Sequence, residues 1–324
     1  MTLIALDAMG GDHAPAEPVA GAVQAAEAGV EVVLVGDEEA IKPHLDRLGA
    51  SLPLVHAPEV IGMHEDPARA IREKPNASVS VAARMVKSGE AAGFLSAGST
   101  GAAMAAGTIH IGRVPGVKRP SIASIWPTPP SPTVVLDSGA NPDVKPIHLL
   151  QFAIMGAVAA EVFLEMANPR VGLLSNGEEE GKGRDLERAT FTLLAESDLN
   201  FVGNVEGRDV GADKADVIVT DGFTGNVFLK SVEGTARMVL LLAAEAMSHL
   251  PPEDQAKMQP ALAELRSRLD PETYGGAHLL GVDGVVVIGH GSSTARSISN
   301  ALRMASEGAQ ADLVGRLAQR IAEA

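Results

Sequence analysis

Gly93-Phe-Leu-Ser-Ala-Gly-Ser-Thr-Gly101 passes from a short apolar run, through a polar glycine-rich turn, into an alanine-rich stretch with helical spacing. Strand, turn and helix in that order are half of a βαβ unit. The order recurs along the chain. Short β-branched runs at 3–6, 32–35, 54–56, 93–96, 122–126, 134–136, 171–174, 201–205, 217–220 and 285–288 read as strands. Between most of them lie Ala- and Leu-rich helical segments, such as 18–28, 147–166 and 227–248. Several strands are apolar throughout, which fits burial on both sides. The pattern predicts an α/β fold with a mostly parallel sheet covered on both faces. The proline-rich segment 124–132 interrupts the alternation and reads as a hairpin or a crossover between lobes.

The chain has 324 residues, suiting one large α/β unit over 1–324 or two fused lobes; strand patterns resume directly after 124–132, which favours the single unit. Residues 227–269 read as a protruding helical hairpin turning at Pro251-Pro252. Its apolar stripes include Met238, Leu241, Leu242, Met258, Leu262 and Leu265, which suggests a dimer interface; a membrane-touching tip is the sharper reading. The absence of cysteine removes disulfides, thiol nucleophiles and thiolate metal sites. Lys and Arg total 26 against 41 Asp and Glu, a formal charge of −15 that argues against nucleic acid as a partner. Aromatics are only 3%, so base-stacking platforms are scarce. The first residues do not read as a signal peptide and the longest apolar stretches are of core-helix length, so a cytoplasmic protein is expected.

Six glycine-rich polar turns follow strands: 7–12, 96–101, 137–141, 175–183, 221–226 and 289–293. In a parallel sheet they would share one edge, the usual ligand edge of an open α/β fold. Asp7, Gly10, Gly11, Ser96, Gly98, Ser99, Thr100, Gly101 and Asn141 are therefore candidates for binding phosphate or substrate. Ser99 or Thr100 can cap the following helix, whose free N–H groups suit an anion. Lys182 stands between two glycines as a mobile cation. Its loop is one residue short of a phosphate loop and has Gly183 where a magnesium-binding hydroxyl would stand. Asp221 supplies a carboxylate, Asn226 an amide for an oxyanion or a cap, Lys230 a second cation, and His290 a proton carrier near neutrality. No acid occurs between Glu90 and Asp137, while Arg113, Lys118 and Arg119 do, a basic island for phosphate or an acidic partner. No zinc spacing, dinucleotide fingerprint or serine-hydrolase elbow is present. Asp209, Asp213 and Asp216 read as solvated loop acids rather than cation ligands.

Six segments together resemble the bacterial phosphate acyltransferase family of phospholipid synthesis. They are Ile4-Ala-Leu-Asp-Ala-Met-Gly-Gly-Asp12, Ser96-Ala-Gly-Ser-Thr-Gly-Ala102, Leu136-Asp-Ser-Gly-Ala-Asn141, Phe201-Val-Gly-Asn-Val-Glu-Gly207, Asp221-Gly-Phe-Thr-Gly-Asn-Val-Phe-Leu-Lys230 and Tyr274-Gly-Gly-Ala-His-Leu-Leu-Gly281. They span nearly the whole chain in order. Two departures are Ser99, where the family usually has Asn, and Ser175-Asn176, where it has Asn-Ile. The resemblance implies a three-layer α/β/α fold akin to phosphotransacetylase and isopropylmalate dehydrogenase. It also implies a homodimer, peripheral membrane contact, and onward delivery of product to glycerol-3-phosphate acyltransferase. The implied reaction joins inorganic phosphate to the acyl group of acyl carrier protein, with no metal or other cofactor. In it, the 98–101 turn and Lys182 would hold phosphate, and Asn226 would stabilise the oxyanion. His290 or Lys230 would serve the leaving thiolate, and Asp221 would orient Lys182 or accept a proton. Arg113, Lys118 and Arg119, with Arg84 and Lys87 beside them, would dock the acidic carrier protein. The rivals are a metal-dependent NAD dehydrogenase of the related fold and a non-catalytic carrier-protein or membrane scaffold.

Overall fold

A computed structural model describes residues 2–270, 273 and 275–324. Its strands are β1 (Ile4–Asp7), β2 (Val32–Gly36), β3 (Leu54–His56), β4 (Gly93–Ser96), β5 (Ser121–Trp126), β6 (Thr133–Leu136), β7 (Val171–Leu174), β8 (Phe201–Val205), β9 (Val217–Val219), β10 (Ala277–Leu280) and β11 (Val285–Ile288). They form one sheet in the order β3-β2-β1-β4-β11-β10-β5-β6-β9-β7-β8. All ten expected strands are present. β10 is additional: a histidine in a four-residue run flanked by glycines hides it from pattern reading. Tyr274, the first residue of the last resembling segment, lies outside the described residues.

The sheet is mostly parallel, but β10 is antiparallel to both β11 and β5, and β5 is antiparallel to β6. Segment 124–132 is thus the β5–β6 hairpin. Two reversals on one side of β5 and one on the other make β6, β9, β7 and β8 run against β1, β2, β4 and β11. This corrects the expectation that six turns share one edge. The turns after β1, β4 and β11 lie at one edge, and those after β6, β9 and β7 lie at the other.

Helices cover both faces. On one face, α1 (Ala16–Glu27), α2 (Glu38–Leu48) and α10 (Ala295–Gln310) pack over Leu6, Leu34, Leu95 and Val287, while α6 (Pro146–Phe163), α7 (Asp185–Ala195) and α11 (Leu313–Glu323) pack over Leu136, Leu173 and Val219. On the other, α3 (Pro67–Glu73), α4 (Ser78–Ser88) and α5 (Thr100–Ala106) cover Ala5, Phe94, Ile122 and Val286. The base of α8 (Gly222–Ser248) covers Trp126, Val135 and Ile218 through Phe228 and Leu229. Phe228 stacks on Trp126 at 5.0 Å between ring centroids. α5 continues as a π-helical turn, Gly107–Ile111.

Among the described residues α6 alone is long and apolar enough to cross a bilayer, but 61% of it is buried and every residue from Gln151 to Ala160 packs inside. It is the core helix of its layer. Beyond its base, α8 pairs with α9 (Pro252–Arg268), which buries none of its residues. Met238, Leu241, Leu242 and Met258 are left exposed on this pair.

Candidate active site

Asp-Gly-Phe-Thr-Gly-Asn builds the amino end of α8. Asp221 caps it, accepting from the Thr224 N–H at 2.8 Å. Gly222 and Gly225 let the first turn lie backbone to backbone on the loop after β6. A Cβ on Gly222 would sit 2.6 Å from the Asn141 nitrogen, and one on Gly225 would sit 1.9 Å from the Asp137 carbonyl oxygen. Asn226 is exposed and lies over Gly139, whose φ of +143° favours glycine.

The 137–141 loop is held from inside. Asp137 accepts from the N–H groups of Gly139 (3.0 Å), Ala140 (2.8 Å) and Asn141 (2.8 Å), and from Asn141 Nδ2 at 2.7 Å. Asn141 Nδ2 also donates to the Pro120 carbonyl at 2.8 Å. Both amide hydrogens are thereby committed, so Asn141 shapes the loop and offers a ligand nothing from Nδ2. The same bond ties the loop to the basic segment that contains Lys118 and Arg119.

Asp221 does not orient Lys182. Its partner is Arg184, whose Nη2 bonds both Asp221 and Glu187. Burial alone would push the Asp221 carboxyl up. The Thr224 N–H, the Arg184 guanidinium and the Thr224 hydroxyl together hold it below the usual carboxylate range. Asp221 is therefore a poor proton acceptor, and the expected base role is withdrawn. Lys182 is exposed, its ammonium 3.9 Å from Glu179. Lys230 is paired with Glu233 at 2.9 Å.

At the opposite edge, Asp7 and Ser96 are buried against each other, Ser96 Oγ donating to Asp7 at 2.7 Å. Burial raises the Asp7 carboxyl despite bonds from Ser78, Ser96 and two backbone N–H groups. Gly10 is required by contact: a Cβ there would sit 2.8 Å from the Gly98 nitrogen, while one on Gly98 would sit 3.3 Å from the Gly10 Cα. Asp7, Gly10, Ser96 and Gly98 thus lock two turns together rather than facing ligand. Gly11 has a φ of +118°. Ser99 caps α5, accepting from Ala102 N–H at 3.4 Å. Gly101 packs on Pro67. Among the described residues the Thr100 and Gly101 N–H groups donate to no acceptor, as an anion site needs. His290 is exposed, with Nδ1 2.8 Å from Ser292 Oγ.

Among the described residues, no hydrogen bond joins the His290 group to the Asp221 group. In the sheet order β5 and β6 stand between β11 and β9, and β5 and the loop after β6 carry a pair of hydroxyls not anticipated as site residues. Ile122, Ser124 and Trp126 share one face of β5 by the two-residue period. Ile122 belongs to the core under α5 and Trp126 to the core under α8. Ser124 Oγ sits between them, 2.7 Å from Ser138 Oγ. A polar residue at an inward position of an alternating strand was the available signal.

Arg113, Lys118 and Arg119 are exposed on the loop before β5, and Lys118 and Arg119 form no ion pair among the described residues. Lys145 extends the patch. Burial, then Arg119, Lys145 and Lys118, lowers the pKa of His148 beside them. Lys87 faces Asp283 at 3.8 Å and so is not part of the unpaired patch, while Arg84 donates to the Pro75 carbonyl at 2.5 Å and keeps its charge. Asp213 and Asp216 are paired with Arg170, and Asp209 with Lys214. The acidic group Glu178, Glu206 and Asp209 has the Lys214 ammonium bonded to two of its members.

The fold is that of the phosphotransacetylase group. A phosphotransacetylase from Streptococcus pyogenes superposes with a TM-score of 0.64 at 20% identity, over 96% of this chain and 94% of that one. A 4-hydroxythreonine-4-phosphate dehydrogenase from Burkholderia phymatum gives 0.52 at 14%, over 94% and 97%. The model of the family described as "Fatty acid synthesis protein" matches residues 2–316. A phosphate acyltransferase from Desulforamulus reducens is 50% identical over 97% of this chain and 96% of its own length. The chain belongs to this family of phosphate acyltransferases; it is an acyltransferase of fatty acid and phospholipid synthesis.

Proposed function

We propose that the chain transfers a long-chain acyl group from acyl carrier protein to inorganic phosphate. The observation that carries this reading is the junction of an unpaired basic patch with the amide-bearing loop. Lys118, Arg119 and Lys145 lie on segments joined through Pro120 and Asn141 to the loop beneath Asn226. An acidic carrier docked there would bring its thioester to Asn226. On a chain of charge −15, such a patch is selective for an acidic partner.

The two edge groups can serve one cleft. A sheet twist of about 20–25° per strand, accumulated over the six steps from β1 to β9, turns strand direction by about 120–150°. Antiparallel halves then point their carboxyl ends within roughly 30–60° of one another. α5 and α8 start on the same face, and Ala140 packs against the core under α5. Ser124 and Ser138 lie on β5 and on the loop after β6, which stand between β4 and β9 in the sheet.

A phosphate oxygen held by the Thr100 and Gly101 N–H groups and by Lys182 attacks the thioester carbonyl carbon. Asn226 Nδ2 donates to the oxyanion, the C–S bond breaks, and acyl phosphate and free carrier thiol result. Lys230 is already paired, so His290 is the better proton source for the thiolate. The exposed stripe on α8 and α9 is covered by a second copy, and the tip of the pair can touch lipid. The enzyme acts in the cytoplasm, from which glycerol-3-phosphate acyltransferase takes its product.

Incubation with palmitoyl carrier protein and phosphate, without metal or nucleotide, yields palmitoyl phosphate by mass spectrometry. Carrier binding without product would sustain the scaffold reading, and metal-dependent NAD reduction would sustain the dehydrogenase. Reversing charge at Lys118 and Arg119 raises KM for the carrier about tenfold and leaves KM for phosphate unchanged. An unchanged carrier KM places docking elsewhere.

A further inference from the structure

We propose that Arg184 is a positioning residue that fixes the Lys182 loop against the amino end of α8, setting the separation of Lys182 from Asn226. The assignment rests on the acyl-transfer reading above.

Arg184 follows Gly183, whose φ is +93° and whose N–H donates to Asn176 Oδ1 at 2.9 Å. It is the N-cap of α7, and its own N–H donates to Glu187 Oε2 at 2.7 Å. Its Nε reaches Glu187 Oε1 at 3.0 Å, and Nη2 bridges Glu187 to Asp221. The side chains of Glu187 and Asp221 are 8% and 2% exposed, whereas that of Arg184 is 59% exposed. One guanidinium thus serves two carboxylates that water does not reach, one on each side of the loop–helix junction. The planar fork grips Glu187 through both Nε and Nη2 while the same Nη2 meets Asp221; an ammonium would have one nitrogen for both partners and would hold Glu187 less firmly.

The other restraints hold the loop to β8, to α7 and to itself rather than to α8: Ser175 N–H to the Val205 carbonyl at 2.8 Å, Asn204 Nδ2 to the Glu179 carbonyl at 2.8 Å, Lys182 N–H to the Glu179 carbonyl at 3.0 Å, Arg188 Nη1 to the Gly183 carbonyl at 2.6 Å, and the exposed Lys214–Glu178 pair. Ser175 Oγ, at the start of the loop, is buried without a partner among the described residues. Nη1 of Arg184 donates to nothing among the described residues. Arg184 contacts no residue assigned to phosphate or thioester, so its influence passes through Asp221 and the loop.

The test uses the full-length enzyme and Arg184→Gln, Arg184→Lys and Glu187→Gln. Two quantities are read: hydrogen exchange of 175–183 and 221–226, which needs no activity, and the pH profile of acyl phosphate formation. Arg184→Gln speeds exchange in both segments and moves the acid limb to higher pH, because Asp221 loses its cation and, once protonated, caps α8 less well. It also raises KM for phosphate more than it lowers kcat. Arg184→Lys restores the acid limb but not the exchange protection. If Arg184→Gln does not fold, Arg184→Lys and Glu187→Gln carry the comparison, both loosening the loop. Unchanged exchange together with an unmoved acid limb overturns the proposal. An enzyme that makes no acyl phosphate overturns the reaction instead, and exchange alone then decides the role of Arg184.

Discussion

Gly225→Ala lowers kcat/KM for acyl transfer by about a hundredfold or more while leaving most of the fold intact. The added methyl would stand 1.9 Å from the Asp137 carbonyl oxygen and 3.1 Å from Thr220 Cγ2. The carbonyl cannot yield, because Asp137 is pinned on both sides. Its N–H donates to the Thr220 carbonyl at 3.0 Å, and its carboxylate holds three successive N–H groups. The start of α8 must therefore lift, taking Asp221 and Asn226 with it. Overpacking of this kind costs about 1–3 kcal/mol of stability, which a stable fold survives, whereas displacement of Asn226 by about an ångström costs about a hundredfold in rate. Gly234 is the control. It lies in the same helix with nothing within 4 Å of its would-be Cβ. Gly234→Ala keeps full activity and gains about 0.5–1 kcal/mol from helix propensity. Steady-state kinetics beside urea denaturation separates the two variants. Equal behaviour would mean that the loop after β6 and the start of α8 are not in backbone contact.

The contrast between these glycines shows what the sequence makes visible and what it hides. Apolar β-branched runs announce strands because a strand buried on both faces needs little else. The hairpin at 124–132 was legible from its prolines. The polar character of the turn at 221–226 was legible too, and with it Asp221 and Asn226. Direction was not. β10 carries His278 inside a run of four, and without β10 the reversal of β6, β9, β7 and β8 cannot be deduced. Asp7, Ser96 and Asn141 look like ligand-binding groups in a linear reading, yet the Asp7 carboxylate accepts from Ser96 and both Asn141 amide hydrogens are given to Asp137 and Pro120 within the fold. Arg184 gave no local pattern, because its partner Asp221 is 37 residues away. Residue type predicts what a group can do; burial and partners decide whether it is free to do it.

Acidification weakens the fold through His278, and the difference between the parent chain and His278→Leu measures it. The ring stacks on Phe163 at 4.4 Å, and both nitrogens are buried without hydrogen-bond partners among the described residues. Burial pushes the imidazole down to about 3. Above pH 6.5 the ring is neutral in both the folded and unfolded states, and stability does not depend on it. As pH falls below 6.5 the unfolded chain takes up a proton that the folded protein refuses. Stability is then lost until pH reaches about 3, where the folded ring also protonates. At roughly 1.4 kcal/mol per unit, the span amounts to about 4–5 kcal/mol at most. Asp7 and Asp137, raised by burial, act in the opposite sense over part of that range. The total acid curve is therefore a mixture, and only the difference isolates the histidine. Urea denaturation at pH 7.5, 6, 5 and 4.5 should show His278→Leu more stable at every pH, because two unpaired nitrogens leave the core. Its advantage should widen by roughly 2 kcal/mol between pH 6 and 4.5. Parallel curves would show that the ring accepts a proton inside the fold, and hence that a partner reaches one of its nitrogens.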